Sequence, residues 1–211
     1  MTTNLWSERA HAERYLEARA GYPRREEGYG ALLEFVPGAS RRVLDLGCGD
    51  GEVAGRILDA VDDVEVLVAD FSPEMLRRAR ERFARDPRVT VVVHDLDEPL
   101  PRSWGSFDAV VSAFAIHHVV DARKPVLFGE IFGALQAGGV FVNLEHVSSP
   151  TPELHEAFLS EFGLTPHEDD PSNQLAPVEA QLAWLRDLGF EQVDCHWKWR
   201  ELALLGGRKP G

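Results

Sequence analysis

Carboxylates and histidines occur along this chain at spacings that suggest chemistry. In VLDLGCGDG, the stretch from Val43 to Gly51, Asp45 and Asp50 bracket glycines at 47, 49 and 51. A dinucleotide loop uses G-x-G-x-x-G to bring backbone N–H groups and a helix N-terminus against a pyrophosphate. Here the third glycine comes one residue early and acids stand where phosphate would arrive, so the loop suits a cationic or neutral ligand. Asp70 closes the next apolar run about 20 residues on, where a carboxylate can accept both hydrogen bonds of a ribose diol. Further along stand Asp95, the pair His117-His118 and the pair Glu145-His146. The last four, His117, His118, Glu145 and His146, are side chains able to take a proton from a reacting group.

Short β-branched runs alternating with longer helical patterns must position these residues, the signature of a parallel sheet built from strand–helix units. Strands are predicted at 42–46, 64–69, 89–94, 107–113 and 139–145. A helix is predicted over 73–84, with Ser72 as N-cap and Pro73 at the first helical position. The helix after the fourth strand is expected to end through Leu135-Gln136-Ala137-Gly138-Gly139, a glycine taking the left-handed cap. Helical patterns also cover 152–162 and 177–188, and 163–176 is rich in Pro, Asp, Ser and Asn. The tail FEQVDCHWKWRELALLGGRK reads as an antiparallel hairpin closing the sheet edge, with Trp197 and Trp199 on one buried face. The expected fold is a doubly wound, Rossmann-like α/β domain: a seven-stranded, mostly parallel sheet with an antiparallel C-terminal hairpin strand and helices on both faces.

Residues 1–40 are expected to form a helical cap, from helices over Trp6–Arg19 and Glu26–Phe35, either a lid over the strand ends or an outer packing layer. Residues 41–211 then make a single domain with an insertion at about 147–176. With 211 residues, 35 acidic against 22 basic and a net charge of −13, the chain repels polyanions, which argues against nucleic acid as a partner. The two cysteines are too few for a disulfide framework, the N-terminal segment is polar, and no run approaches the length of a membrane helix. These features fit a cytoplasmic setting, as a monomer or a homodimer. The eight histidines show no H-x-x-x-H spacing with a third ligand, so no catalytic metal is expected, although His146 and His155 flank one loop.

VLDLGCGDG, the acid closing the second strand in VLVADFSPEML, HDL after the third, FDAVVSAFAIHHV and LQAGGVFVNLE together resemble the successive motifs of class I S-adenosylmethionine-dependent methyltransferases. The likeness covers roughly residues 40–205. It implies S-adenosyl-L-methionine as cofactor, a sulfonium cation joining an amino acid to an adenosine. Carried onto this chain, it implies Gly47 and Gly49 against the methionine moiety and ribose, with Cys48 between them. It implies Asp70 on the ribose hydroxyls, Phe71 and Met75 against the adenine, and Asp95 on the exocyclic amine with Leu96 beside it. Asp45 would orient the loop or meet the ammonium group through water, and Phe114 borders the same site. Each has a plain structural alternative: Asp95 a turn residue, Met75 helix core, Cys48 a small loop residue.

The resemblance implies methyl transfer to an oxygen, nitrogen or carbon of a small-molecule acceptor, with His118 at the place where related enzymes hold a histidine beside it. Glu145 and His146 are neighbours on a strand, so alternation sends them to opposite faces. Tyr15, Arg19 and Tyr22 could reach the site from the cap, and the segment 167–173 either lines the acceptor pocket or is a solvated loop. Two other readings compete: a nicotinamide-dependent Rossmann oxidoreductase, and a non-catalytic cofactor-binding scaffold protein.

Overall fold

A computed structural model describes residues 5–211; the first four residues of the expected cap lie outside it. Seven strands run β1 (Arg42–Leu46), β2 (Glu65–Asp70), β3 (Val89–Val93), β4 (Phe107–Ala113), β5 (Leu135–His146), β6 (Glu191–Trp199) and β7 (Leu202–Arg208). Their order in the sheet is β3-β2-β1-β4-β5-β7-β6. The first five are parallel, and β7 is antiparallel to both β5 and β6. The predicted sheet and its hairpin edge are therefore present.

Burial on both faces explains why β1 reads as a nearly unbroken apolar run. Val43 faces one core, with Val53, Ile57 and Val66, while Leu44 and Leu46 face the other, with Leu127, Phe128 and Phe141. The first core is covered by α2 (Arg25–Phe35) and α3 (Glu52–Ala60), the second by α5 (Lys124–Ala134) and α7 (Val178–Asp187). Each large aliphatic side chain fully buried here contributes roughly 1.5–3 kcal/mol, so the sheet is a rigid base. Register aligns the strand ends: Leu46 lies opposite Ala69 on β2 and Ser112 on β4. Strand order reverses between β1 and β4, and the loops that follow open a crevice there.

Three local expectations need correction. Ser72 sits at the N-cap of α4 (Pro73–Arg82), but its hydroxyl makes no capping bond; Asp70 Oδ1 instead accepts from the Ser72 backbone N–H at 2.8 Å. The helix after β4 ends at Ala134 and β5 begins at once, so Gly138, at φ +76°, lies at an irregularity inside the strand. In the N-terminal region, Trp6 occupies its own 3-10 turn (Leu5–Ser7) and α1 spans only Arg9–Ala18. α2 packs on the sheet, where Gly28 meets Leu144 and Trp197. α1, by contrast, lies across the strand ends against α4, where Trp6, Ala12 and Met75 form a small cluster. The cap thus divides into an outer layer and a lid. The hairpin tryptophans are half-buried against Phe158, Leu159 and Leu202, with Lys198 and Arg200 exposed between and after them.

Candidate active site

At the switch point the glycine loop is shaped by close approach. Gly47 has φ +64°, and a Cβ there would stand 2.2 Å from the Ala115 Cβ, so no other residue fits that backbone. The loop is tied down by Cys48 N–H to Ala69 O at 3.0 Å and by Gly49 N–H to Asp70 Oδ2 at 2.9 Å. Asp70 thus holds the loop on one oxygen and the start of α4 on the other. All ten residues expected at the cofactor line one cavity.

The electrostatics of that cavity follow from burial. Asp45 is 1% exposed, and desolvation raises its pKa to about 7, with Asp70 and Asp50 adding to the rise. Its Oδ2 has no hydrogen-bond partner among the described residues. Burial raises Asp70 as well, against three backbone N–H donors that favour its charge. Asp50 behaves differently: Arg19 grips it with two hydrogen bonds of 2.7 Å and Arg82 with one of 3.1 Å. Its charge is spent on the lid, while Asp45, Asp70, Asp95 and Asp97 line the cavity without an ion-pair partner among the described residues. Asp95 accepts from the Asp97 N–H and lines the cavity beside Leu96. Met75, 2% exposed, does two jobs, packing under Trp6 and lining the wall.

A second cavity, of about 1400 Å³, adjoins the first. Trp6, Tyr15, Arg25, Phe114 and His118 line both. Phe114 turns into this junction through a left-handed backbone, φ +53°, at the end of β4, a conformation that costs a non-glycine residue on the order of 1 kcal/mol. Tyr22 and His146 line the second cavity, as do Glu168, Asp169, Asp170, Pro171 and Asn173 from the segment after α6 (Pro152–Ser160). That segment walls the cavity on one side, while His167, Glu168 and Pro171 stay exposed to solvent.

The four candidate proton acceptors separate by partner. His117 Nδ1 lies 2.6 Å from Glu145 Oε1, and both groups are buried. Glu145 also accepts from Asn143 Nδ2 and from the His146 N–H. Burial lowers the His117 pKa and raises that of Glu145. Three donors keep the carboxylate ionised, which fixes the imidazole neutral with its proton on Nδ1. Glu145 lines neither cavity, so it orients His117 and does not face a ligand. His118 Nδ1 meets Ser172 Oγ at 2.9 Å, and that hydroxyl donates to Asp170 Oδ1 at 2.7 Å. This relay leaves His118 Nε2 as an acceptor, and burial keeps the ring neutral. His146 turns away to Glu201, 2.8 Å off, which His155 also contacts at 3.0 Å. Among the described residues no three metal-ligating side chains gather at one point.

Sequence reasoning missed Trp6 in the lid, Arg25 and Tyr29 on α2, and His94, whose buried ring packs on Trp104 beside the first cavity. Arg25 and Tyr29 carried one signal, aromatic and cationic residues at helical spacing on α2.

The model of a methyltransferase domain matches residues 43–139. A demethylmenaquinone methyltransferase of Clavibacter sepedonicus is 36% identical over 174 residues, covering 75% of this chain and 69% of that one. A ubiquinone/menaquinone biosynthesis C-methyltransferase of Dinoroseobacter shibae is 34% identical, covering 77% and 72%. Among solved structures, an O-methyltransferase family protein from Burkholderia thailandensis superposes with a TM-score of 0.75 at 18% identity, over 98% of this chain and 62% of that one. The chain belongs to the class I S-adenosylmethionine-dependent methyltransferases, and the nicotinamide-dependent reading is set aside. Among its relatives are quinone-pathway C-methyltransferases; the solved neighbour shares the fold. No helix among the described residues is long and apolar enough to cross a membrane.

Proposed function

We propose that the chain transfers a methyl group from S-adenosylmethionine in the inner cavity to a small-molecule acceptor in the outer one. The observation that carries this reading is the shared wall: an acid-lined cavity fitted to a cation opens, past His118 and Phe114, into a larger aromatic one. The unpartnered Asp45 oxygen and the Gly47 cradle fit the cofactor, whose bound sulfonium supplies an activated methyl. Asp45 would then meet its cationic end, Asp70 the ribose diol, Phe71 and Met75 the adenine faces, and Asp95 with Leu96 the adenine edge.

Methyl transfer is an in-line displacement, so the protein's work is alignment and exclusion of water. Trp6, Tyr15 and Arg19 close the cavity from above, and the Arg19–Asp50 pair fastens lid to loop. His118 Nε2 takes a proton from an acceptor that carries one, and the Ser172–Asp170 relay on Nδ1 supports the charge gained. His117, held by Glu145, lines the acceptor side behind it. The relatives, a demethylmenaquinone methyltransferase and a C-methyltransferase of ubiquinone/menaquinone biosynthesis, favour a ring carbon over an amine. Two free cysteines and net charge −13 support a cytoplasmic enzyme without nucleic-acid partners, monomeric or dimeric. The test is a screen of phenols, carboxylic acids and amines for acceptor-dependent formation of S-adenosylhomocysteine. Turnover of one class, lost in His118→Ala, supports the reading; no turnover of any class beside tight cofactor binding favours a scaffold.

A further inference from the structure

Arg25 is a buried cation without a buried anion. It is 7% exposed, and no carboxylate lies within salt-bridge distance of it among the described residues. Its Nε donates to the Tyr29 hydroxyl and its Nη2 to that of Tyr15, both at 2.8 Å. Nη1 is buried with no partner. Aromatic faces surround the guanidinium: its Cζ lies 4.7 Å from the Phe114 ring centre, 5.1 Å from Tyr29 and 5.6 Å from Tyr15. Cation–π contacts offset only part of the cost of burying an unpaired charge. The remainder is relieved only by an anion reaching Nη1.

The acid nearest Arg25 in electrostatic reach is already engaged by other cations. Glu52, the acid whose field reaches Arg25, spends its oxygens on Arg56 at 3.0 Å and Arg19 at 3.5 Å. At the far rim Asp170 holds His11 and Ser172, Asp169 holds Asn173, and Glu168 holds Thr165. Arg25 lines both cavities and stands at their junction, between ring walls that include Tyr22 packed on Phe162.

We propose that Arg25 binds the anionic oxygen of the methyl acceptor, and that the acceptor is a planar aromatic carboxylate or phenolate seated between these rings. This rests on the methyltransferase reading and narrows it to a substrate class. An anionic oxygen reaching this point can accept from Nη1 while Nε and Nη2 stay on the Tyr29 and Tyr15 hydroxyls, a fixed planar arrangement that lysine does not reproduce.

The test is calorimetry on protein saturated with S-adenosylhomocysteine, titrated with salicylate and benzoate and with the neutral salicylamide and benzamide. The expected result is that the acids bind at least tenfold tighter than their amides. Arg25→Met abolishes that preference and Arg25→Lys keeps part of it, while cofactor affinity stays within about threefold in both variants. Equal binding of acid and amide, or of neither, overturns the proposal. So does an Arg25→Met variant that keeps the preference but loses S-adenosylhomocysteine tenfold, because the guanidinium then serves the cofactor's own carboxylate. Failure of the unsubstituted protein to bind S-adenosylhomocysteine overturns the underlying reading, and the proposal with it.

Discussion

The two cavities are built differently. The inner one has its floor in the ends of β1, β2 and β4 and in short loops anchored by backbone hydrogen bonds to the sheet, with Trp6, Tyr15 and Arg19 over it. The outer one is walled by α1, by α6 and by the irregular segment after it, which reach the sheet through side chains such as Ser172 on His118 and His155 on Glu201. A wall made of strand ends moves only if the core moves, while a wall of docked helices shifts at the cost of a few side-chain contacts. The first suits a constant ligand and the second a variable one. On this account substitutions in the inner wall change cofactor affinity, and those in the outer wall change turnover.

Gly47→Ala is expected to have the largest effect. Its Cβ would stand 2.2 Å from Ala115 at φ +64°, so loop and β4 exit must separate, costing about 1–3 kcal/mol of stability. Cofactor affinity should fall at least a hundredfold, read by calorimetry beside thermal melting. His118→Ala comes next, with the opposite signature: turnover of an acceptor found by screening drops on the order of a hundredfold, while the cofactor dissociation constant stays put. An equal loss in both would assign this histidine, which lines both cavities, to cofactor binding. Asp70→Ala should weaken cofactor binding more than tenfold. It also strips acceptors from the Gly49 and Ser72 N–H groups, lowering stability by about 1–3 kcal/mol, so affinity and melting must be measured together.

A smaller effect comes through pH. Asp45 has a pKa of about 7 in the folded chain against 3.8 ordinarily, so the folded protein keeps this proton longer than the unfolded one. Stability contributed at this residue therefore falls as pH rises from about 4 towards 7. A cation bound beside it favours the ionised form. Cofactor affinity should accordingly rise on the order of tenfold between pH 5.5 and 7, with proton release on binding. The variant Asp45→Asn should show neither, checked by calorimetry in buffers of different ionisation enthalpy. Smallest is Arg19→Ala, which frees Asp50 from the lid: a two- to fivefold faster cofactor dissociation, by stopped-flow fluorescence, with unchanged turnover at saturation.

The same division explains what could be read from the sequence. Asp45, Gly47, Asp70 and Asp95 follow apolar strands whose register fixes where each loop begins, so spacing alone placed them around one crevice. Arg25, Trp6 and Ser172 lie on elements whose docking depends on long-range packing, and no local pattern marks a lid helix as turned towards the crevice. Asp50 was legible as an acid but not as a spent one, because its partners Arg19 and Arg82 lie 31 and 32 residues away. The Ser72 hydroxyl was displaced by a rule it obeys in isolation: Asp70, two residues earlier, supplies the carboxylate that caps the turn.

The most direct test of the central claim, that the acid-lined inner cavity is built for a sulfonium cofactor, is parallel calorimetric titration with S-adenosylmethionine, S-adenosylhomocysteine and NAD. The account predicts micromolar binding of the first two, abolished in Gly47→Ala, and no heat from NAD. Tight binding of NAD with neither sulfur compound bound would contradict it and return the glycine loop to dinucleotide chemistry.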